Sequence, residues 1–317
     1  MNRLLVSAAH KSSGKTTVSV GLCAALSAQG LVVQPFKKGP DYIDPMWLAQ
    51  ASGRNCFNLD PYLMNAEQIA ASFAGHSLRA DVSLVEGNKG LYDGLALDGS
   101  NSNAALAHLL DLPVVLVLDA RGMTRGIAPL ILGYQAFDRN IRIAGVILNQ
   151  LGGARHESKL RAVIEHYTDV AALRVRAMGE LVAQQVDLAR VQQVAQSAPK
   201  TPTPLSPHLV SQQILPLADK LTATTAQLPI RIGVARDKAF GFYYPDDLQA
   251  LENAGAVIVP VDMLKDARLP EVDGLFIGGG FPEMFMQELQ SNNTMRDSIH
   301  TAIEAGLPVY AECGGLM

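Results

Sequence analysis

Residues 9–16 have the spacing of a phosphate-binding loop. They read Ala-His-Lys-Ser-Ser-Gly-Lys-Thr and fit the pattern G-x-x-x-x-G-K-[ST], except that Ala9 stands at the first glycine position. Small residues let backbone N–H groups surround phosphates, the lysine reaches the β- and γ-phosphates, and the final hydroxyl coordinates Mg²⁺. A chance Ser/Gly turn is the alternative. However, a strand-like run before this phosphate loop and a helical pattern after it supply the context that the motif requires.

Carboxylates recur in two further segments that contain the ends of apolar runs. Residues 36–45 read Phe-Lys-Lys-Gly-Pro-Asp-Tyr-Ile-Asp-Pro, and residues 85–94 read Val-Glu-Gly-Asn-Lys-Gly-Leu-Tyr-Asp-Gly. Carboxylates suit Mg²⁺, and the neighbouring lysines suit an anionic substrate. Either segment alone could be a solvated charged turn, but acidic residues at several strand ends around one phosphate loop favour a shared site. Asn149, after a third run, could read a purine base or simply cap a turn.

A different chemistry is indicated at Cys313, which follows a short apolar run and precedes two glycines. A thiol at a strand-to-turn corner is exposed and close to backbone N–H donors, as a nucleophile requires. The glycines at 278–280 could supply an oxyanion hole. The alternative is an inert buried cysteine, which fits Cys23. A histidine base is normally required, and His300 is the only histidine after residue 230; because it lies in a predicted helix, we expect the base to be absent from this chain.

The elements that must position these residues alternate along the chain. Helical patterns separate most of the apolar runs at 4–6, 31–36, 82–85, 114–118 and 143–148. This alternation predicts an α/β fold with a doubly wound, mostly parallel sheet that binds ligands at the carboxyl ends of its strands. A stretch rich in Gln, Ser, Thr and Pro predicts a linker at 192–228 between domains at 1–191 and 229–317. We expect the second α/β domain to be incomplete, because the sequence stops just after a strand-and-turn signal.

Composition narrows the classes of function. Of 317 residues, 48% are hydrophobic, the net charge is −4 and like charges do not cluster, which argues against nucleic-acid and membrane partners. Three widely separated cysteines predict reduced thiols in a cytoplasmic protein.

Together these stretches resemble the cobyrinate a,c-diamide synthase family of tetrapyrrole amidoligases, most specifically at residues 38–45. The resemblance covers most of residues 1–190 and 228–317. It implies a dethiobiotin-synthetase-like P-loop domain joined to a class I, triad-type glutamine amidotransferase domain. The implied reaction uses ATP and Mg²⁺ to amidate the a and c carboxylates of cobyrinate or hydrogenobyrinate through an acyl phosphate, with glutamine or ammonia as the nitrogen donor.

The motifs and the resemblance also assign roles to individual residues. Nucleotide binding is assigned to Ser12, Ser13, Gly14, Lys15, Thr16, Thr17 and Asn149. Substrate binding is assigned to Lys37, Lys38, Asp41 and Tyr42, and metal binding to Thr16, Asp41 and Glu86. Catalysis is assigned to Asp44, Glu86, Asp93 and Cys313, and the oxyanion hole to Gly279, Gly280 and Gly314.

Departures from the family pattern keep other functions open. Asn88 and Lys89 and the segment 99–104 differ from the usual family residues, so amidation of sirohaem or nickel-sirohydrochlorin is an alternative. A family stretch after Gly179 is missing, which makes an inactive fragment a second alternative. A partition-type ATPase switch is a third, disfavoured because His10 stands where that class has a second lysine. The number of subunits stays open, with a homodimer among the options.

Overall fold

In this computed structural model the chain forms two compact units, Met1–Ser211 and Gln212–Met317. The structure describes residues 1–173, 188–199 and 229–317. Most of the predicted linker and the predicted gap after Gly179 lie outside these ranges. Helix Leu188–Gln196 continues past the predicted domain end at 191 and buries Val194 and Ala195 in the core of the first unit.

The described part of the first unit contains one seven-stranded parallel sheet with the order β3-β2-β4-β1-β5-β6-β7. The strands are β1 (Asn2–Ala8), β2 (Val33–Lys38), β3 (Phe57–Leu59), β4 (Val82–Glu86), β5 (Val114–Asp119), β6 (Ile143–Asn149) and β7 (Ala171–Leu173). The helices are α1 (Lys15–Ala28), α2 (Ile43–Ser52), α3 (Ala66–Ser77), α4 (Asn103–Leu109), α5 (Ile127–Phe137), α6 (Ala154–Tyr167) and α7 (Leu188–Gln196).

Helices cover both faces of this sheet. Successive strand residues point to opposite faces, so Leu4 packs in one core and Leu5 in the other. One core includes residues of α1, α2 and α7, and the other includes residues of α3, α4, α5 and α6. The predicted doubly wound α/β fold is confirmed.

The second unit is a smaller α/β structure with a parallel sheet of order β10-β8-β11-β13 and an antiparallel pair, β9 and β12. Its strands are β8 (Arg231–Ala235), β9 (Phe240–Phe242), β10 (Val257–Val261), β11 (Gly274–Ile277), β12 (Gly279–Gly280) and β13 (Val309–Ala311). Its helices are α8 (Pro245–Asn253), α9 (Met286–Ser291) and α10 (Asn293–Glu304), with 3₁₀ turns at Pro282–Phe285 and Cys313–Leu316.

The described parts of the chain contain no helix that combines the length and apolar character needed to span a bilayer.

Candidate active site

The phosphate loop lies at the carboxyl end of β1, between the parallel neighbours β4 and β5. The backbone turns through the left-handed region at Ser12 (φ 66°) and Gly14 (φ 87°) before α1 begins at Lys15. Gly14 is the N-cap of α1 and has no side chain to bond the N–H groups of the first turn. These N–H groups therefore suit a phosphate, as the motif predicts.

Asn149, at the end of β6, is held against this loop. Its Nδ2 donates to the carbonyl oxygen of Ser13 at 2.9 Å, and a Cβ atom on Gly14 would collide with the same amide. Glycine is therefore required at position 14 by both its positive φ and this close contact. The Ser13 hydroxyl donates to the carbonyl oxygen of His10 at 2.8 Å and closes the loop from within. The prediction that Asn149 reads a purine stays a prediction.

Four side chains from separate elements converge next to the loop. The Thr16 hydroxyl lies 2.7 Å from Oε1 of Glu86 and 3.2 Å from Oδ2 of Asp44. Lys37 Nζ donates to the same Glu86 oxygen at 3.0 Å and also to Oδ2 of Asp44. Lys37 and Glu86 are register partners on β2 and β4, so their side chains leave the same face of the sheet. The structure thus brings together the predicted residues at 16, 37, 44 and 86.

Burial and mutual charge set the ionisation of this cluster. Glu86 is fully buried, and burial raises its pKa although Lys37 and Thr16 oppose the shift. Burial acts to lower the pKa of Lys37, but Glu86 and Asp44 outweigh it and hold that pKa above its ordinary value. Burial acts to raise the pKa of Asp44, but Lys37 prevails and keeps it low. Burial, followed by the charge of Lys37, lowers the pKa of Lys15.

The donor set next to Thr16 fits Mg²⁺. Oε2 of Glu86 is buried and has no hydrogen-bond partner among the described residues, while Oε1 of the same carboxylate contacts the hydroxyl of Thr16, which also reaches Asp44. Within the described ranges no three His, Cys, Asp or Glu side chains form a metal cage. Mg²⁺ commonly takes one or two carboxylates and completes its shell with waters and substrate phosphates.

Asp41 has a different position from Asp44. Its Oδ1 accepts from the N–H groups of Ile43 (3.0 Å) and Asp44 (3.1 Å), at the start of α2, while Oδ2 lies 3.5 Å from Lys37 Nζ. Asp44, rather than Asp41, reaches Thr16, and metal binding by Asp41 stays a prediction. Tyr42 is the half-buried N-cap residue of α2, and Thr17 is exposed in the first turn of α1.

Residues 87–94 form a loop that follows β4, named the acceptor loop after the catalytic role predicted for its residue Asp93. Lys38 is buried, and its Nζ donates to Oδ1 of Asn88 at 3.2 Å and to the carbonyl oxygen of Asn101 at 2.5 Å. Burial lowers the pKa of Lys38, with Asp60 opposing the shift. Asp93 is exposed, and its Oδ2 accepts from the N–H of Gly90 at 3.0 Å. The loop therefore presents the exposed carboxylate of Asp93 after β4, the strand that ends at the buried Glu86.

Sequence reasoning missed Asn103, the fully buried first residue of α4. Its Oδ1 accepts from the N–H of Asn88 at 3.1 Å. Its Nδ2 donates to the carbonyl oxygen of Gly90 at 2.9 Å, to that of Asn88, and to Oγ of Ser7 at 3.1 Å. A Cβ atom on Gly87 would lie 2.7 Å from this amide. The one available signal was an amide residue at the start of an otherwise apolar helix.

Cys313 in the second unit has the setting of a nucleophile. It is exposed, follows β13, and begins a 3₁₀ turn with a left-handed φ of 49°. That backbone conformation costs a residue with a side chain about 1 kcal/mol or more. Cys23 and Cys56 differ, because both are buried; burial raises the pKa of Cys23 to about 12 and the pKa of Cys56 well above its ordinary value.

Of the three predicted oxyanion glycines, Gly279 lies against this thiol, and Gly280 lies against Gly314, the residue after Cys313. A Cβ atom on Gly279 would lie 3.2 Å from Cβ and 3.3 Å from Sγ of Cys313. A Cβ atom on Gly314 would lie 3.3 Å from the backbone nitrogen of Gly280. The geometry brings these backbones together, and their role as an oxyanion hole stays a prediction. His300 is exposed within α10, as its sequence context indicates.

Comparison with known proteins bears on both units. A model of the CobB/CobQ-like glutamine amidotransferase domain matches residues 231–317, and a model of an AAA domain matches residues 2–185. The cobyrinate a,c-diamide synthase of Magnetococcus marinus is 45% identical over 99% of this chain and 72% of its own length. The proteins of the same name from Methanosarcina barkeri and Listeria innocua are 41% and 37% identical, over 70% and 74% of their lengths.

The chain belongs to the cobyrinate a,c-diamide synthase family. The predicted membership is confirmed, and the AAA-type domain with its phosphate loop supports ATP use. The alignment with the Magnetococcus marinus synthase spans 344 positions, more than the 317 residues of this chain, so that synthase has internal residues without a counterpart here. Among solved structures, the match to chloroplast FtsY from Physcomitrella patens covers 61% of this chain and 65% of that chain, at 20% identity and a TM-score of 0.41.

Proposed function

We propose that this member of the cobyrinate a,c-diamide synthase family uses ATP to convert the a and c carboxylates of cobyrinate or hydrogenobyrinate to amides. The observation that carries the proposal is the convergence of Thr16, Lys37, Asp44 and Glu86 at a phosphate loop, next to an acceptor loop with an exposed Asp93. Relatives that bear the synthase name support the choice of tetrapyrrole.

The first unit would carry the phosphoryl transfer. Lys15 and the N–H groups at the start of α1 bind the β- and γ-phosphates. Thr16, Glu86 and Asp44 would hold Mg²⁺, which when bound neutralises charge on the phosphates. An oxygen of the substrate carboxylate attacks the γ-phosphorus, the bond from that phosphorus to the β–γ bridging oxygen breaks, ADP leaves, and an acyl phosphate forms. Lys37 and Lys38 offset the negative charge of the polycarboxylate acceptor.

Ammonia completes the reaction. Its nitrogen attacks the acyl carbon, inorganic phosphate leaves, and the proton lost by the nitrogen passes to Asp93, the exposed carboxylate of the acceptor loop. With glutamine as donor, the Cys313 thiolate would attack the side-chain amide carbon and release ammonia, while the backbones of Gly279, Gly280 and Gly314 stabilise the oxyanion. That half-reaction also needs a general base, and His300, the one histidine in the sequence of the second unit, is exposed on α10.

Mass spectrometry of candidate acceptors tests the proposal. The chain is incubated with Mg-ATP, either ammonium or glutamine, and one of four acceptors: cobyrinate, hydrogenobyrinate, sirohaem or nickel-sirohydrochlorin. We expect two successive carboxylate-to-amide mass changes on cobyrinate or hydrogenobyrinate with ammonium. Glu86→Gln should abolish them, while Glu67→Gln at the exposed start of α3 serves as the matched control.

Other outcomes of this experiment would contradict the proposal. Amidation of sirohaem or nickel-sirohydrochlorin alone would show that the substrate is one of these tetrapyrroles and not a corrin. ATP binding without amidation of any acceptor would favour an inactive fragment or a partition-type switch.

A further inference from the structure

Two tyrosines connect the acceptor loop to the phosphate loop. The Tyr92 hydroxyl, in the acceptor loop, donates to the carbonyl oxygen of Tyr134 on α5 at 2.6 Å. The Tyr134 hydroxyl in turn donates to the carbonyl oxygen of Ala9, the first residue of the phosphate loop. The two rings also pack against each other, with centroids 5.4 Å apart. Neither tyrosine belongs to the cluster around Thr16.

The carbonyl of Ala9 is contacted from the acceptor loop as well. A Cβ atom on Gly90 would lie 2.6 Å from this oxygen, so the two backbones are in close contact. One residue along, the N–H of Leu91 donates to the carbonyl oxygen of Ala8 at 2.8 Å. The start of the phosphate loop is therefore in contact with both α5 and the acceptor loop.

Ala9 occupies the position at which the chain leaves β1 and turns around the phosphates. The orientation of its peptide sets the path of the N–H groups that follow, and these must point at the nucleotide. A hydrogen bond to this carbonyl thus acts on ATP binding without any contact with ATP. Because Tyr92 moves with the acceptor loop, its bond to Tyr134 transmits a change in that loop to the nucleotide site.

We propose that Tyr134 is a positioning residue for the phosphate loop and that Tyr92 acts through it, coupling the occupancy of the acceptor loop to the affinity for ATP. The proposal rests on the proposed function in two respects: ATP binds at the phosphate loop, and the tetrapyrrole binds at the acceptor loop. Binding linkage then requires the reciprocal effect, in which ATP changes the affinity for the tetrapyrrole by the same factor.

Isothermal titration of the full chain with Mg-ATP tests this arrangement. Tyr134→Phe should weaken ATP binding about 5-fold, the equivalent of one hydrogen bond, and Tyr92→Phe about 3-fold. The double variant should bind ATP as weakly as Tyr134→Phe alone, since Tyr92 acts only through Tyr134. Gly90→Ala, whose added Cβ would collide with the carbonyl oxygen of Ala9, should also weaken binding. Tyr62→Phe, at a tyrosine that is 85% exposed, is the matched control.

A merely structural role would give a different pattern. The tyrosine variants would then lower the melting temperature but leave the Kd for ATP unchanged, and this result would overturn the proposal. Additive losses in the double variant would also overturn it, because the two hydroxyls would then act independently. Absence of ATP binding by the unmodified chain would contradict the proposed function itself, and the proposed coupling would fail with it.

Addition of cobyrinate to the same titrations provides the second readout. In the unmodified chain, saturating cobyrinate should change the Kd for ATP, and Tyr92→Phe should reduce that change to about one-third or less. An equal change in both proteins would show that the tyrosines do not transmit the signal.

Discussion

The hydroxyl of Thr16 lies 2.7 Å from Oε1 of Glu86, which joins the first turn of the helix after the phosphate loop directly to the end of β4. Lys37 shares the same oxygen at 3.0 Å. A ligand that engages the Thr16 hydroxyl must compete with this contact, and the released oxygen of Glu86 then faces the ligand. The geometry of these groups makes Glu86 the residue on which the ATP site depends most directly.

Glu86→Gln should raise stability while it removes amidation. Because burial raises the pKa of Glu86, the ionised side chain lowers the free energy of unfolding once the pH exceeds its ordinary value of 4.5. Below that value the carboxyl is protonated in both the folded and unfolded states, and the cost disappears. We expect the variant to be more stable than the unmodified chain near neutral pH, with the gain vanishing as the pH falls towards 4.5.

Urea denaturation across this pH range measures the effect, with Glu67→Gln as the exposed control. A variant that is less stable than the unmodified chain at neutral pH would contradict the inference that ionisation of the buried Glu86 lowers the free energy of unfolding.

Asn103→Asp should damage the acceptor loop more than the nucleotide site. The aspartate keeps the shape of the side chain but replaces the Nδ2 donor with an oxygen that repels the carbonyl oxygens of Asn88 and Gly90. We expect a loss of about 2 kcal/mol in unfolding free energy and a raised KM for the tetrapyrrole, with a smaller weakening of ATP binding that reaches the phosphate loop through its contacts with the acceptor loop.

Asn65→Asp is the control for this substitution, because Asn65 caps α3 at the surface and aspartate caps helices equally well. Equal losses of ATP and tetrapyrrole binding in Asn103→Asp would show that this amide supports the whole unit and not the acceptor loop in particular.

Alkylation of the native chain should stop at one thiol. Cys313 is exposed, whereas Cys23 and Cys56 are buried and burial raises the pKa of both, so their thiolate forms are scarce. Iodoacetamide followed by intact-mass measurement should give a single adduct on the folded protein and three after denaturation. Cys313→Ser should give no adduct in the folded state. Rapid native labelling of Cys23 or Cys56 would show that the first unit opens on the timescale of the reaction.

Gly280→Ala should destabilise the second unit by about 2 kcal/mol, because the added Cβ would overlap the backbone of Ala239. The neighbouring Gly241→Ala is a matched control, since its Cβ would meet only the carbonyl oxygen of Asp237 at 3.6 Å, an ordinary contact. Denaturation followed by fluorescence of the tyrosines compares the two variants. Equal stability of both would contradict the close packing of Gly280 against the backbone of Ala239.

Short stretches of sequence were enough to predict four features, because each has a local pattern: the phosphate loop, Lys37, Glu86 and the Cys313 turn. The parallel sheet follows from apolar runs long enough to show their period. Helix α2 was missed, since residues 38–45 read as a charged loop and the helix begins within them at Ile43. The three-residue strands β3 and β7 are too short to show a period.

Contacts between distant residues had no local signal. The bond from Tyr134 to Ala9 joins positions 125 residues apart, and only the packing of α5 against the sheet brings them together. The choice of Asp44 over Asp41 as the neighbour of Thr16 likewise depends on the start of α2, which turns Asp41 towards the backbone of its own helix.

The left-handed backbone at Cys313 has an evolutionary consequence. Glycine adopts a φ of 49° without steric cost, so Cys313→Gly would relieve strain that the present residue sustains. Cysteine and glycine codons differ by a single base. In a lineage that no longer uses glutamine as its nitrogen donor, glycine would therefore be favoured at this position because it stabilises the fold. The identity of residue 313 among descendants then shows whether selection for the thiol persists.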